Sequence, residues 1–135
     1  MILVLDSEAV WALCDRRTTR RDNVNAAMAE AASRHIDVVV PAVVLAELYR
    51  TTAKSAAVDS LLSRAPIVRV AETDRALARR VGRVLSHARL GSEFIVDAHL
   101  VALGVERGAA LILTGDSKDI TKLAAPYPNI LVQQI

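Results

Sequence analysis

Short, largely apolar runs that alternate with helix-patterned segments constrain this chain more than any other feature. Ile2-Leu3-Val4-Leu5, Asp37-Val38-Val39-Val40, Ile67-Val68-Arg69-Val70 and Ala109-Ala110-Leu111-Ile112-Leu113 are runs of four or five residues, and Asn129-Ile130-Leu131-Val132 is a fifth. Most are β-branched or leucine-rich throughout, with no polar alternation. A strand with one wet face alternates; a strand buried on both faces does not. Between them lie segments with helical spacing, expected at 7–14, 23–32, 41–52, 56–64, 74–88, 93–106 and 118–124. Asp22 and Thr73 are expected to cap the second and fifth helices, and residues 16–22 to form a polar loop. Pro41 ends its strand and can open the next helix. The expected fold is α/β: a central parallel sheet of four to five strands with helices on both faces.

The 135 residues contain no repeat, low-complexity tract or linker, and the expected organisation is one domain over 1–135. The longest pure apolar run, 38–46, is broken by Pro41 and far short of the roughly 20 residues of a membrane helix. The first residues have no basic stretch or cleavage site of a signal peptide. Cys14 is the only cysteine, which excludes an internal disulfide and a cysteine zinc cluster. The expectation is a cytoplasmic protein with no membrane association. Cys14 itself follows Val10 and Leu13 at helical spacing and reads as core.

The net charge is only +2, but 14 of the 17 basic residues are arginine, whose fork suits phosphate. A GC-rich genome, which favours Arg codons, explains the same bias. Aromatic residues make up 3%, too few for extensive stacking on bases, so a nucleic acid would be gripped mainly through its backbone. Arg16, Arg17, Arg20 and Arg21 form the candidate rim for RNA; Arg79, Arg80 and Arg83 read as a solvated helix face.

The acids carry the chemistry. Ligands of parallel sheets bind beyond the carboxyl ends of the strands. Asp6 follows the first strand and Asp116 the fourth, within Thr114-Gly115-Asp116, so both leave at one edge. Either one alone reads equally as a helix cap. Glu47 and Asp97 lie on helices, in or beside apolar stripes rather than on charged faces. A buried carboxylate must be paired, protonated or on a metal. Two carboxylates about 4 Å apart repel by roughly 4 kcal/mol at an effective dielectric near 20. Four converging acids therefore want a cation, and an all-oxygen set selects Mg²⁺ or Mn²⁺. Phosphodiester hydrolysis is the chemistry such a site suits.

Asp6-Ser7, Glu47 within Val-Leu-Ala-Glu-Leu-Tyr-Arg, Asp97 within Val-Asp-Ala-His-Leu-Val-Ala, and Asp116 within Thr-Gly-Asp-Ser-Lys-Asp-Ile resemble, in that order, the acidic motifs of PIN domains. The chain most resembles the VapC-type ribonuclease toxins of type II toxin–antitoxin systems, over essentially its whole length. The resemblance implies a PIN-like three-layer α/β/α fold and a Mg²⁺- or Mn²⁺-dependent endoribonuclease. It assigns Asp6, Glu47, Asp97 and Asp116 as the catalytic and metal-binding quartet, with Thr114 orienting the site. It further implies a homodimer, an RNA substrate and a cognate VapB-type antitoxin. Asp119 reads as an outer ligand or, preferred here, as the cap of a helix over 120–124. Glu93 reads as a dipole partner in a first turn, and Glu8 as solvated and turned away from Asp6. His35, His87 and His99 read as non-catalytic; Trp11 and Tyr49 suit either core or an interface. The competing function is a PIN-like module that binds RNA or a partner without turnover.

Overall fold

The computed structural model describes residues 1–15 and 18–135. Its strands are β1 (Ile2–Leu5), β2 (Asp37–Pro41), β3 (Val68–Ala71), β4 (Ala110–Thr114) and β5 (Ile130–Gln134). They form one sheet in the order β3-β2-β1-β4-β5, every pair parallel. The helices are α1 (Ser7–Cys14), α2 (Thr19–Ser33), α3 (Ala42–Leu48), α4 (Thr52–Arg64), α5 (Arg75–Ala88), α6 (Ile95–Glu106) and α7 (Ser117–Ala124). Helix α6 packs across β1, β2, β4 and β5 and against α5 and α7, while α1 packs on β1 and β4 beside α2, α3 and α4. The result is the expected three-layer α/β/α arrangement. β1 and all but the first residue of β2 are buried, which is why those strands are apolar without alternation.

Strand order reverses beside β1. The chain moves outward through β2 and β3, then returns to place β4 on the other side of β1. The carboxyl ends of β1 and β4, Leu5 paired with Leu113, therefore flank the switch point where such sheets bind ligands. Gly104 lets α6 lie close on the sheet: a β-carbon there would come within 2.7 Å of Ala110 Cβ and 2.8 Å of Ile130 Cδ1.

Several helix boundaries differ from expectation, most because a different side chain takes the cap. Helix α2 begins at Thr19, since the Thr18 hydroxyl accepts from the Arg21 amide at 3.2 Å. Asp22 is thus a first-turn residue, and Arg20 and Arg21 are helical rather than in a loop; Arg is a good helix former. Arg16 and Arg17 lie outside the described residues. The single helix expected over 41–52 stops at Leu48, and Thr51 caps a new one by accepting from the Lys54 amide at 3.4 Å. Asp74, not Thr73, caps α5, accepting from the Leu77 amide at 2.8 Å. A 3₁₀ turn, Ser92–Phe94, precedes α6 and takes the place of its expected first turn. Among the described residues no helix is long and apolar enough to cross a membrane.

Candidate active site

Asp6 leaves β1 at the switch point and caps α1. Its Oδ1 accepts from the Glu8 amide at 2.6 Å, and its own amide donates to the Leu113 carbonyl at 3.1 Å. The residue is only 9% exposed. Burial pushes its carboxyl above the usual 3.8; the Thr114 hydroxyl and the Glu8 and Ala9 amides pull the other way, and the Glu8 charge adds to the rise.

The end of β4 forms a tight turn against it. Thr114 is buried; its Oγ1 donates to the Asp116 carbonyl and accepts from the Asp116 amide, both at 3.1 Å. Asp116 caps α7, accepting from the Lys118 amide at 3.1 Å, and is exposed. Both strand-end acids are thus helix caps, and both reach the same edge.

Asp97 sits in the first turn of α6, half-buried, with no capping role. Its carboxyl is pushed up to about 6, chiefly by burial, then by the charges of Asp6, Asp119, Glu47 and Asp116 in that order. Acids from β1–α1, α3, α6 and β4–α7 therefore share one field, centred on Asp97. Helix α3 reaches that field by packing against α1 and α6. Among the described residues none of Asp6, Glu47, Asp97 or Asp116 has a basic side chain within ion-pair distance. A pairing of Asp97 with a buried arginine is excluded on the same terms.

Three expectations need correction. Glu47 is exposed: Val44, Leu45 and Leu48 take the inward face of α3, and Glu47 stands at its solvent side, reaching the field by charge and not by burial. Asp119 is not a cap, because Asp116 already caps the helix three residues before; Asp119 lies in the first turn, 3.4 Å from Lys122 Nζ, and its charge acts on Asp97. Glu8 is exposed as expected but not turned away. Its carboxylate rests against Gly115, where any β-carbon would collide with it, and its charge acts on Asp6. The glycine of Thr-Gly-Asp was the available signal for that approach.

The other candidates fall away from the field. Glu93 curls over Gly91. His99 is buried, with Nδ1 2.7 Å from the Ile95 carbonyl, and His35 and His87 are exposed. Cys14 is half-buried against the core. Tyr49 donates to Asp59 at 2.7 Å. Arg79 and Arg83 are exposed on α5, with Arg80 half-buried. Of the arginine rim, Arg20 stands 3.7 Å from the Glu8 carboxylate, and Arg21 Nη1 donates to the Asp15 carbonyl at 3.4 Å.

The donor chemistry suits a hard divalent cation: carboxylate oxygens, and at Asp97 a carboxyl raised by burial and by its acidic neighbours with no cation beside it among the described residues. Among the described residues no three such groups stand close enough to ligate one ion as they are. Mg²⁺ does not require that. It keeps several waters and is held by one or two carboxylates together with substrate phosphate.

Comparison with known proteins agrees with the architecture. The family model described as "PIN domain" matches residues 3–126. Three solved structures share the fold over nearly the full length of both chains. VapBC2 from Rickettsia felis, bound to a DNA fragment from its promoter, has TM-score 0.65 and 15% identity, covering 99% of this chain and 98% of that one. A toxin–antitoxin complex from Klebsiella pneumoniae has TM-score 0.68 and 13% identity, covering 98% and 99%. DNA-bound VapBC from Salmonella typhimurium has TM-score 0.67 and 14% identity, covering 99% and 98%. At these identities the likeness is one of fold. No curated protein sequence matches significantly.

Proposed function

Because the chain belongs to the PIN-domain family, we propose that it is a divalent-metal-dependent endoribonuclease acting as the toxin of a type II toxin–antitoxin pair. One observation carries the reading: Asp97 is pushed up to about 6 inside a field of four further acids, of which only Asp119 has a basic partner, Lys122, among the described residues. A fold gains nothing from that crowding unless a cation and an anionic substrate complete it.

Asp6, Asp97 and Asp116 are the residues to hold Mg²⁺ or Mn²⁺, with Glu47 and Asp119 at the outer edge. Bound there, the metal would supply a more acidic water and positive charge at the leaving oxygen. The chain's own part is positional. The Glu8 amide fixes one oxygen of Asp6, Thr114 ties the β4–α7 turn, and Asp116 is aimed by its cap bond. The arginines at the start of α2 suit the RNA backbone. The toxin role and a VapB-type antitoxin as partner draw on the likeness to toxin–antitoxin complexes; a homodimeric state and action in the cytoplasm are carried over from the sequence resemblance alone.

The test is cleavage of a panel of structured and single-stranded RNAs with Mg²⁺ or Mn²⁺. Asp6→Asn and Asp97→Asn are expected to cut at least about a hundredfold more slowly while staying folded. Undiminished cleavage by both variants would overturn the nuclease reading. The absence of a ready three-ligand cluster among the described residues favours a second reading, a module that binds without turnover. RNA bound but uncut with either metal would select it.

A further inference from the structure

Beside the acidic field, a cavity of about 430 Å³ opens between α1 and the start of α2. It lies within the size range of pockets that hold small ligands. Glu8 joins the two places: the side chain that rests on Gly115 in the Thr114–Asp116 turn is also a wall of the cavity. We propose that this cavity is a nucleotide subsite, taking one base and its phosphate from a single-stranded RNA next to the bond that is cut. The inference rests on the nuclease reading and deepens it.

The chemistry of the walls points to a nucleotide. Trp11, half-buried, lines the cavity and is the chain's only tryptophan. Every base offers a π-face to such a ring. Lys54 Nζ stands over one face of the ring, 5.2 Å from its centroid, and is not among the residues that line the cavity, so a base would take the ring's other face. Arg20 faces Glu8 at 3.7 Å, with the two side chains 50% and 49% exposed. So loose a pair stabilises little, and the guanidinium is free to take a phosphate with its fork. Arg20 stands in the first turn of the 15-residue helix α2, where the helix dipole favours an anion. Glu8 and Asp15 place two carboxylates on the same walls. They oppose a bare anion but accept hydrogen bonds from the ring N–H and amino groups of a base. Scarce aromatics argue against a stacked tract; they are compatible with one stacked base.

The lone tryptophan makes the test direct. The full-length Asp97→Asn variant, which is not expected to cut, is titrated in Mg²⁺ with a mixed-sequence single-stranded RNA of about eight nucleotides, and Trp11 emission is followed. Saturable quenching that weakens with salt is expected, and Arg20→Ala should raise its midpoint about tenfold. In the cleaving protein, Arg20→Ala should raise KM about tenfold with kcat nearly unchanged. Trp11→Phe, which keeps a ring, should bind by anisotropy more tightly than Trp11→Leu. Arg20 is at the surface, so its variant reads out even if the Trp11 variants fold poorly. Quenching without any cleavage by the unmodified chain keeps the subsite and overturns the nuclease reading. Cleavage with Trp11 emission unmoved by RNA, or quenching and KM indifferent to Arg20→Ala, overturns the subsite and leaves the cavity to another occupant such as a protein segment.

Discussion

The acids of this molecule stand on two kinds of ground. Asp6 and Asp116 occupy turns where a buried strand becomes a helix, and each commits a carboxylate oxygen to a backbone amide. Asp97 and Glu47 stand on helices α6 and α3 with no capping bond, and no cation within ion-pair distance among the described residues. The fold has a use for the first pair whatever the protein does. It has none for the second, and Asp97 in particular weakens it. A strand-end acid is therefore explained twice, by local structure and by chemistry; a helix-face acid in a negative field is explained only by chemistry. Asp97 is the more telling of the two kinds.

That contrast can be broken at several points. Gly104→Ala should have the largest effect, because the added carbon strikes Ala110 and Ile130 and lifts the helix that carries Asp97. A loss of about 2 kcal/mol is expected from chemical denaturation, and a neutral result would mean that α6 is not held by that close approach.

Asp97→Asn should do the opposite. Between 3.8 and about 6 the folded protein keeps a proton on Asp97 that the unfolded chain releases. Stability therefore falls as pH rises through that window, and the penalty is complete above it. The variant should gain about 1–2 kcal/mol above pH 7, less than the full shift implies because Asp97 is partly solvated. That is a melting temperature roughly 3–6 °C higher. The gain should vanish by about pH 4. An unchanged melting curve at pH 7.5 would remove the distinction between the two kinds of acid.

For a strand-end acid the sign reverses. Asp116→Ala should cost about 1 kcal/mol through the lost cap, while Asp116→Asn, which still caps, should be nearly neutral in stability. Equal losses in the two variants would show that the cap bond is not what Asp116 gives the fold. Asp119→Asn should move stability least, by under about 0.5 kcal/mol, since the exposed pair it loses with Lys122 is set against the repulsion it relieves at Asp97.

The central strands β1, β2 and β4 were legible from sequence to within a residue or two because near-continuous burial leaves a direct imprint, while the edge strands β3 and β5 are mostly exposed and were read from their β-branched runs alone. Val38-Val39-Val40 and Ala110-Leu111-Ile112-Leu113 could hardly lie elsewhere. Asp6 and Asp116 were legible with them, since position at a strand end implies the edge of the sheet. Side-chain facing on helices was not. Whether Glu47 is buried depends on how α3 lies against α1 and α6, and the heptad-like pattern around it does not encode that. Two caps were misplaced for a related reason: Thr18 displaces Asp22, four residues on, and Asp74 displaces Thr73, its neighbour, by local geometry that the sequence does not encode. Glu8 was missed because its contact with Gly115 joins two strand ends far apart in the chain.

The most direct measurement is the melting temperature under a titration of Mn²⁺ and then Mg²⁺, in the unmodified chain and in Asp97→Asn at pH 7.5. A cation that binds the folded state must raise stability by mass action. If the acids form one metal site, the unmodified chain rises with each ion, starts below Asp97→Asn and overtakes it, while the variant stays flat. Equal responses in the two proteins, or none in either, would contradict a metal site built on Asp97.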